Sequence, residues 1–433
     1  MRLLRRPKGL LAMTVAFLII ISNPGLAVPA GQEGSSTDEK FLEKLEYDSI
    51  LYFVREVNPA NGLIKDSSRP GSPASVAAVG FGLTAICIGE SRGWIEKEEA
   101  KYLILKTLRT FRDGVPNEHG FFYHFLDMRT LSRAWNSEVS SIDTALFLAG
   151  ALFAGEYFKG TEIETIAQEL YARVEWPWML NGRKTLCMGW KPEDLFLPYY
   201  WDTYTEAMIL YALAIGSPTY PIKPECWLEW KRPLDTYKDY RIVYCPTGSL
   251  FTYQYSHAWI DFRRIQDDGV NYYDNSVSAT KANRQFCADN SNEHKAYGEN
   301  SWGLSACIGP DGYKGYGAKP GMALNDGTIP PCGMAGSIVF DPVASLNGLK
   351  NLYENHKDFL YGKYGFKDAF NTDRGWWAEE YLAIDVGITA IMIENYRSGL
   401  VWDKFMGLSA IKRWLKGIAG LTTKKQESVL TNG

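Results

Sequence analysis

The chain has 433 residues and a net charge of −4, with no excess of basic residues, which excludes a dedicated nucleic-acid binder. A hydrophobic share of 46% is enough for a substantial core. Its 14 Trp, 26 Tyr and 20 Phe fall partly in Gly-, Asn- and Asp-rich stretches, where flat rings suit stacking on a sugar as well as packing in a core.

Residues 1–30 read as a signal peptide. Basic MRLLRRPK is followed by the short apolar run GLLAMTVAFLIII and by SNPGLAVPA, whose small residues suit cleavage after Ala27 or Ala30. The run is too short to favour a membrane span, and no cysteine follows it for a lipid anchor. The expectation is a secreted or periplasmic protein with no membrane association after cleavage. A linker at 31–38, one catalytic domain at 39–415 and a flexible tail at 416–433 complete the expected organisation.

Two kinds of helix then alternate. WIEKEEAKYLILKTLRTF is amphipathic, with Ala100, Ile104, Leu108 and Phe111 on one face, and TEIETIAQELYARV repeats this with Ile163, Ile166, Leu170 and Val174. Between such segments lie ASVAAVGFGLTAICIG, TALFLAGALFAG, AMILYALAIG and VGITAIMI, apolar on every face and rich in Gly and Ala. A helix apolar all round is buried all round. NSVSATKANRQFCADNS, NSWGLSACIG and DPVASLNGLKNLYENH are further helical candidates, with a short strand possible near RIVYC. The pattern predicts an all-α fold, an (α/α)6 toroid of alternating outer and inner helices with long loops at the pocket end.

The seven cysteines show no CxxC, and the five histidines no HExxH, so neither a metal site nor a cofactor motif is expected. Disulfides are permitted by export, and the odd count leaves at least one thiol free or pairing between chains. Cys87 reads as a buried thiol.

Three inner helices begin with acids: NSEVSSIDTALF with Glu138 and Asp143, YYWDTYTEAMI with Asp202 and Glu206, and WWAEEYLAIDVGITA with Glu379, Glu380 and Asp385. Parallel inner helices would gather these acids, with Trp135, Trp201, Trp376 and Trp377, at one end of the ring. Each acid has a plainer reading. Thr203-x-x-Glu206 and Ser140-x-x-Asp143 fit capping boxes, and Asp385 fits an N-cap. Two separated carboxylates over a stacking surface suit glycoside hydrolysis, by inversion at about 6.5–9.5 Å or by retention at about 5–5.5 Å.

The segments EVSSIDTALFLAGAL, YYWDTYTEAMILYALA, YSHAWIDFR, YGENSWGLSACIGPDGY, NDGTIPPCGMAGSI, YGKYGFKDAFN and YLAIDVGITAIMIENYRSGLVW occur in order between Phe41 and Trp402. Together they resemble the glycoamylase-like family, which includes bacterial endo-β-1,2-glucanases and domains of cyclic β-1,2-glucan synthases. The resemblance implies hydrolysis of a β-glucan, most readily a β-1,2-linked one, with Glu206 as general acid and Asp385 as base acting through a sugar hydroxyl. It also implies substrate-facing positions at Glu138, Asp143, His257, Glu299 and Trp302. Trp201 and Asp202, beside the proposed acid, join this set as expected sugar contacts. WWAEEYLAID and IPPCGMAG depart from the commoner pattern of the family. The expected partner is an oligo- or polysaccharide; oligomeric state is not legible. A non-hydrolytic carbohydrate binder and a retaining transglycosylase on the same fold are the alternatives.

Overall fold

The structure, a computed structural model, describes residues 36–431 apart from Asp268. The expected signal peptide and residues 31–35 of the expected linker lie outside the described residues. The rest of that linker already belongs to the first helix, and the segment expected as a flexible tail is helical through Thr431.

The amphipathic segments form outer helices, and the wholly apolar ones form inner helices. The chain runs α1 (Ser36–Arg55), α2 (Val76–Ser91), α3 (Lys97–Asp113), α4 (Ser141–Tyr157), α5 (Glu162–Ala172), α6 (Met208–Ile215) and α7 (Cys226–Glu229). It continues through α8 (Tyr255–Trp259), α9 (Tyr272–Asp289), α10 (Pro331–Ala335), α11 (Pro342–Leu360), α12 (Ala383–Arg397), α13 (Leu400–Met406) and α14 (Ser409–Thr431). In α2 every residue from Val76 to Gly89 is buried, and in α6 every residue is. In α3, by contrast, only Ala100, Ile104, Thr107, Leu108 and Phe111 are buried, a stripe at helical spacing.

Inner helices α2, α4, α6, α8, α10 and α12 make the ring. α12 packs on α2 and so closes it, with α1 covering the seam between them. After α6 the outer position is held only by the one-turn α7, and α14 returns from the C-terminal end of the chain to cover α6. At the end away from the helix starts, Arg397 of α12 pairs with fully buried Glu46 of α1, and Arg92, the C-cap of α2, pairs with Glu394 of α12 at 2.7 Å. Burial and the facing Glu394 lift Glu46 to about 9, so the seam is a buried hydrogen-bonded network in which removing one member strands its partner.

Glycine sets the spacing of the ring. A Cβ on Gly150 of α4 would lie 1.9 Å from the Gly80 carbonyl oxygen of α2, and a Cβ on Gly80 would lie 2.2 Å from the Leu146 carbonyl oxygen. The two backbones touch directly.

Strands among the described residues are short and occur in two- or three-stranded sheets. Their positions matter more than their length. Ser75, before α2, pairs with Phe125; Ser140, before α4, pairs with Gly189; Ser67 bridges to Leu382, before α12. Successive entry loops are thus stitched together at one end of the ring. NSWGLSACIG, expected as a helix, enters a strand at Ala306–Gly309 paired with Gly312–Gly315, because its glycines favour the tight return at Gly309–Gly312 over helical continuation. The RIVYC strand is present, as part of Tyr240–Val243. All seven cysteines are buried and unpaired, so no disulfide supports the fold.

Gly150→Ala should destabilise the protein by about 1–3 kcal/mol, the usual scale of core overpacking. A lowered guanidinium midpoint at unchanged slope would register this; an unchanged midpoint would mean that α2 and α4 can separate freely.

Candidate active site

A cavity of about 630 Å³ opens where the inner helices begin. Ser75 and Ala77 from α2 and its N-cap, Asp143 from α4, Glu206 from the turn before α6, Tyr255 from α8 and Ile384 from α12 all face it. Loops supply Asp66, Arg69, His124, Trp135 and Tyr313. Trp135 is 68% exposed and sits against Phe125 at the rim, with ring centroids 4.9 Å apart. It and Asn136 both hold left-handed backbone, at φ 54° and 49°. A bulky residue held there marks a segment fixed by its surroundings.

Glu206 is not a capping residue. Thr203 is drawn into a bridge with Lys231, and α6 starts only at Met208, with Ala207 as an N-cap that makes no side-chain bond. The Glu206 carbonyl instead accepts the Ser256 hydroxyl at 2.5 Å, fixing the turn to α8. Burial pushes the Glu206 carboxyl up to about 7; its own backbone N–H works against this, and nearby Asp143 adds to it. The residue therefore carries its proton near neutral pH while facing a cavity.

Asp143 does occupy a cap-like place: its backbone N–H donates to the Ser140 hydroxyl at 3.2 Å, and its carboxyl accepts from the same hydroxyl. Burial nevertheless raises its pKa. His124 answers that charge, with Nε2 3.4 Å from Asp143 and Nδ1 3.0 Å from Glu138. Burial pulls the imidazole down, but Asp143, Glu138 and Asp66 outweigh it and lift it to about 9. In Glu138 burial raises the pKa, and the bond to His124 more than reverses this. His124, Glu138 and Asp143 also have the spacing of a cation site. Both ring nitrogens already face carboxylates, so a charged imidazole occupies the place a cation would take. Asp66 is pushed up to about 6, chiefly by burial.

Asp385 is the third residue of α12; the N-cap is Leu382, which makes no side-chain bond, so the expected N-cap role is corrected. It stands one layer behind the cavity. Its neighbours are Tyr255, which does line the cavity, and Cys332 and Asp368, with which it borders a small enclosed space of about 10 Å³. Asp385 Oδ2 and Asp368 Oδ1 are buried without a hydrogen-bond partner, while Asp368 Oδ2 accepts the Ile308 N–H at 2.6 Å. Burial and the facing carboxylate hold Asp368 well above the carboxylate range. Burial lifts Asp385 less, to about 6, because the neighbouring side chains of Asp368, Cys332 and Tyr255 offset it. The shared proton rests on Asp368.

Of the expected contacts, Asp143 and Glu206 meet in the cavity wall, with Glu138 behind His124. The others lie elsewhere. His257 is fully buried between Phe262 and Phe340, beside the Ser276 hydroxyl at 3.0 Å, and burial pulls it down to about 3. Trp302 is fully buried near Gly348. Trp201 is buried too, its Nε1 donating to Ser141 at 2.9 Å, and Asp202 points to Lys231 at 4.0 Å. Glu299 is exposed beside Arg284. The reasons differ: the rings of His257, Trp302 and Trp201 point into the core, whereas Asp202 and Glu299 point outward to Lys231 and Arg284, and sequence position does not say which way a side chain points. Asp66, His124, Asp368, Tyr255 and Tyr313 went unread. Tyr255, Tyr313 and Asp368 lie within YSHAWIDFR, YGENSWGLSACIGPDGY and YGKYGFKDAFN, segments that carry the family resemblance, while the isolated acid of KDSSRPGS and the His within FFYHFLD lie outside them.

His124 contributes stability that is fully present below its unfolded pKa of about 6.5 and is lost as pH rises through about 9. His124→Gln should therefore lower the denaturant midpoint more at pH 6 than at pH 9.5. Equal losses at both would mean that the imidazole is neutral throughout.

A family model described as "Glycoamylase: Putative glucoamylase" matches residues 198–409. A solved structure described as a putative glucoamylase, from Bacteroides uniformis, is 31% identical with a TM-score of 0.83, covering 88% of this chain and 97% of that one. The endo-β-1,2-glucanase of Chitinophaga pinensis, solved with sophorotriose and glucose, is 27% identical with a TM-score of 0.81 over 88% and 98% of the two chains. A curated relative, the exo β-1,2-glucooligosaccharide sophorohydrolase of Parabacteroides distasonis, is 30% identical over 89% of this chain, which spans 58% of that relative's length. By sequence, extent and fold, the chain belongs to the glycoamylase-like family.

Proposed function

We propose that the protein is an exported glycoside hydrolase acting on a β-glucan, with β-1,2 linkage the favoured one. The observation that carries this reading is Glu206: a carboxyl in the wall of a sugar-sized cavity, raised to about 7 by burial. The two relatives named for β-1,2-glucan hydrolysis support the linkage.

In this reading Glu206 gives its proton to the leaving glycosidic oxygen as the bond to the anomeric carbon breaks. Water adds to that carbon and its proton passes to Asp385. Because Asp385 stands behind Tyr255, the proton travels through a substrate hydroxyl that reaches into the wall. Asp368 keeps its own proton and so leaves Asp385 free to accept one. Asp143 and His124 hold a fixed charge pair beside the reacting sugar, and Trp135 and Tyr313 offer ring faces at the rim. Export rests on the basic–apolar–small order of residues 1–30. Among the described residues no helix is long and apolar enough to cross a membrane.

Glu206→Gln should lower turnover on a linear β-1,2-glucan by about two to four orders of magnitude, the usual general acid contribution. A substrate with a good leaving group should lose far less. Equal loss on both substrates would deny Glu206 the role of acid, and near-normal turnover would deny it any role.

The pH dependence has a definite sign. Asp385 must be ionised, so kcat/KM rises as pH passes about 6; Glu206 must be protonated, so it falls as pH passes about 7. A narrow bell with limbs near these values is expected, its basic limb absent in Glu206→Gln. A plateau extending past pH 8 in the native enzyme would contradict the assignment.

A further inference from the structure

A second cleft, of about 450 Å³, adjoins the catalytic cavity. Arg69 and Pro70 belong to the walls of both, so the two spaces meet across one short loop. Beyond that loop the cleft is lined by Trp376, Trp377, Glu379 and Glu380. The partition is rigidly built. Ser68 N–H donates to the Tyr381 carbonyl at 3.0 Å, Tyr381 N–H donates to the Ser68 hydroxyl at 3.1 Å, and the Arg69 guanidinium pairs with buried Glu380.

Both tryptophans are half-buried; Trp376 is backed by a buried cluster, and Trp377 by the partly exposed ring of Phe359. Trp376 packs on the buried pair Cys307 and Tyr316, and Trp377 lies against Phe359 with centroids 5.0 Å apart. Braced indoles keep their exposed surfaces in place and suit the apolar faces of sugar rings. Arg69 is already neutralised by Glu380, so the cleft offers donors and acceptors without a free positive charge. That combination suits a neutral polyhydroxylated chain and disfavours an anion.

We infer that this cleft is a further glucosyl-binding subsite, receiving the part of a β-glucan chain that passes out of the catalytic cavity over Arg69 and Pro70. It rests on the reading of the main cavity as a glucan hydrolase site. The WWAEE segment, which departs from the commoner family pattern, thus serves to select longer chains.

The test compares the native enzyme with Trp376→Ala and with Glu379→Gln, an exposed position whose change leaves packing intact. The substrates are β-1,2-glucooligosaccharides of increasing length. Native kcat/KM should climb with length and then level off. For the long chains, Trp376→Ala should lower kcat/KM about tenfold, through KM, the equivalent of one stacking contact, and Glu379→Gln about threefold. Both should match the native enzyme on the shortest hydrolysed chain. Equal effects at every length, or none at any length in Glu379→Gln as well as Trp376→Ala, would overturn the subsite while leaving the hydrolase standing. A native enzyme that cleaves none of the chains would overturn both.

Discussion

Glu206, Asp143, Asp66 and Asp385 stand at or beside the mouths of helices that are apolar on every face, and loss of water is the largest influence on each of their proton affinities. The ring of inner helices exists only because its members come close, as the direct contact of Gly80 with Gly150 records. Close packing leaves the helix starts as the place where polar groups can gather. The entry loops, paired from Ser75 to Phe125, from Ser140 to Gly189 and from Ser67 to Leu382, then turn that gathering into one cavity rather than six separate ends.

Two opposed influences meet at this mouth. Helix N-termini favour ionised carboxylates, while burial favours neutral ones. The fold separates them by position. Asp143, within the first turn of α4, has the Ser140 hydroxyl and the His124 imidazole against its carboxyl, and these oppose a burial that still leaves its pKa raised. Glu206 precedes α6, outside its first turn, and lacks a cation of its own, so burial dominates. Asp385 is intermediate: its burial is partly offset by the neighbouring side chains of Asp368, Cys332 and Tyr255. Carboxyls at similar depth thereby take different protonation states, the division of labour that acid–base chemistry requires.

Much of the fold was legible in the sequence because it rests on local periodicity. Val76–Gly89 and Met208–Ile215 have no polar face to hide, and Ala100, Ile104, Leu108 and Phe111 repeat at helical spacing, so inner and outer layers could be told apart. The pair Glu206 and Asp143 was legible for the same reason, through its place at the helix mouths. What escaped depends on tertiary contacts that no local pattern carries. Asp66 and His124 reach the cavity because distant loops are stitched together. Asp368 reaches Asp385 from a separate loop held by the Ile308 N–H. Trp302 and His257 are the opposite case: the family resemblance implies that they face the substrate, yet in this fold both are fully buried. Thr203 misled because a capping pattern is local, whereas the bridge from Thr203 to Lys231 that delays α6 is not.

The central claim is that burial, aided by Asp143, lifts the Glu206 carboxyl to about 7, so that a large share of it keeps its proton at neutral pH. Carbon-13 NMR of the glutamate side-chain carboxyls across a pH series, with the Glu206 signal assigned by its absence in Glu206→Gln, measures this without any substrate. A midpoint near 7 is the predicted result. A midpoint near the ordinary glutamate value of 4.5 would contradict the account, because the carboxyl would then be ionised at neutral pH with no proton to give.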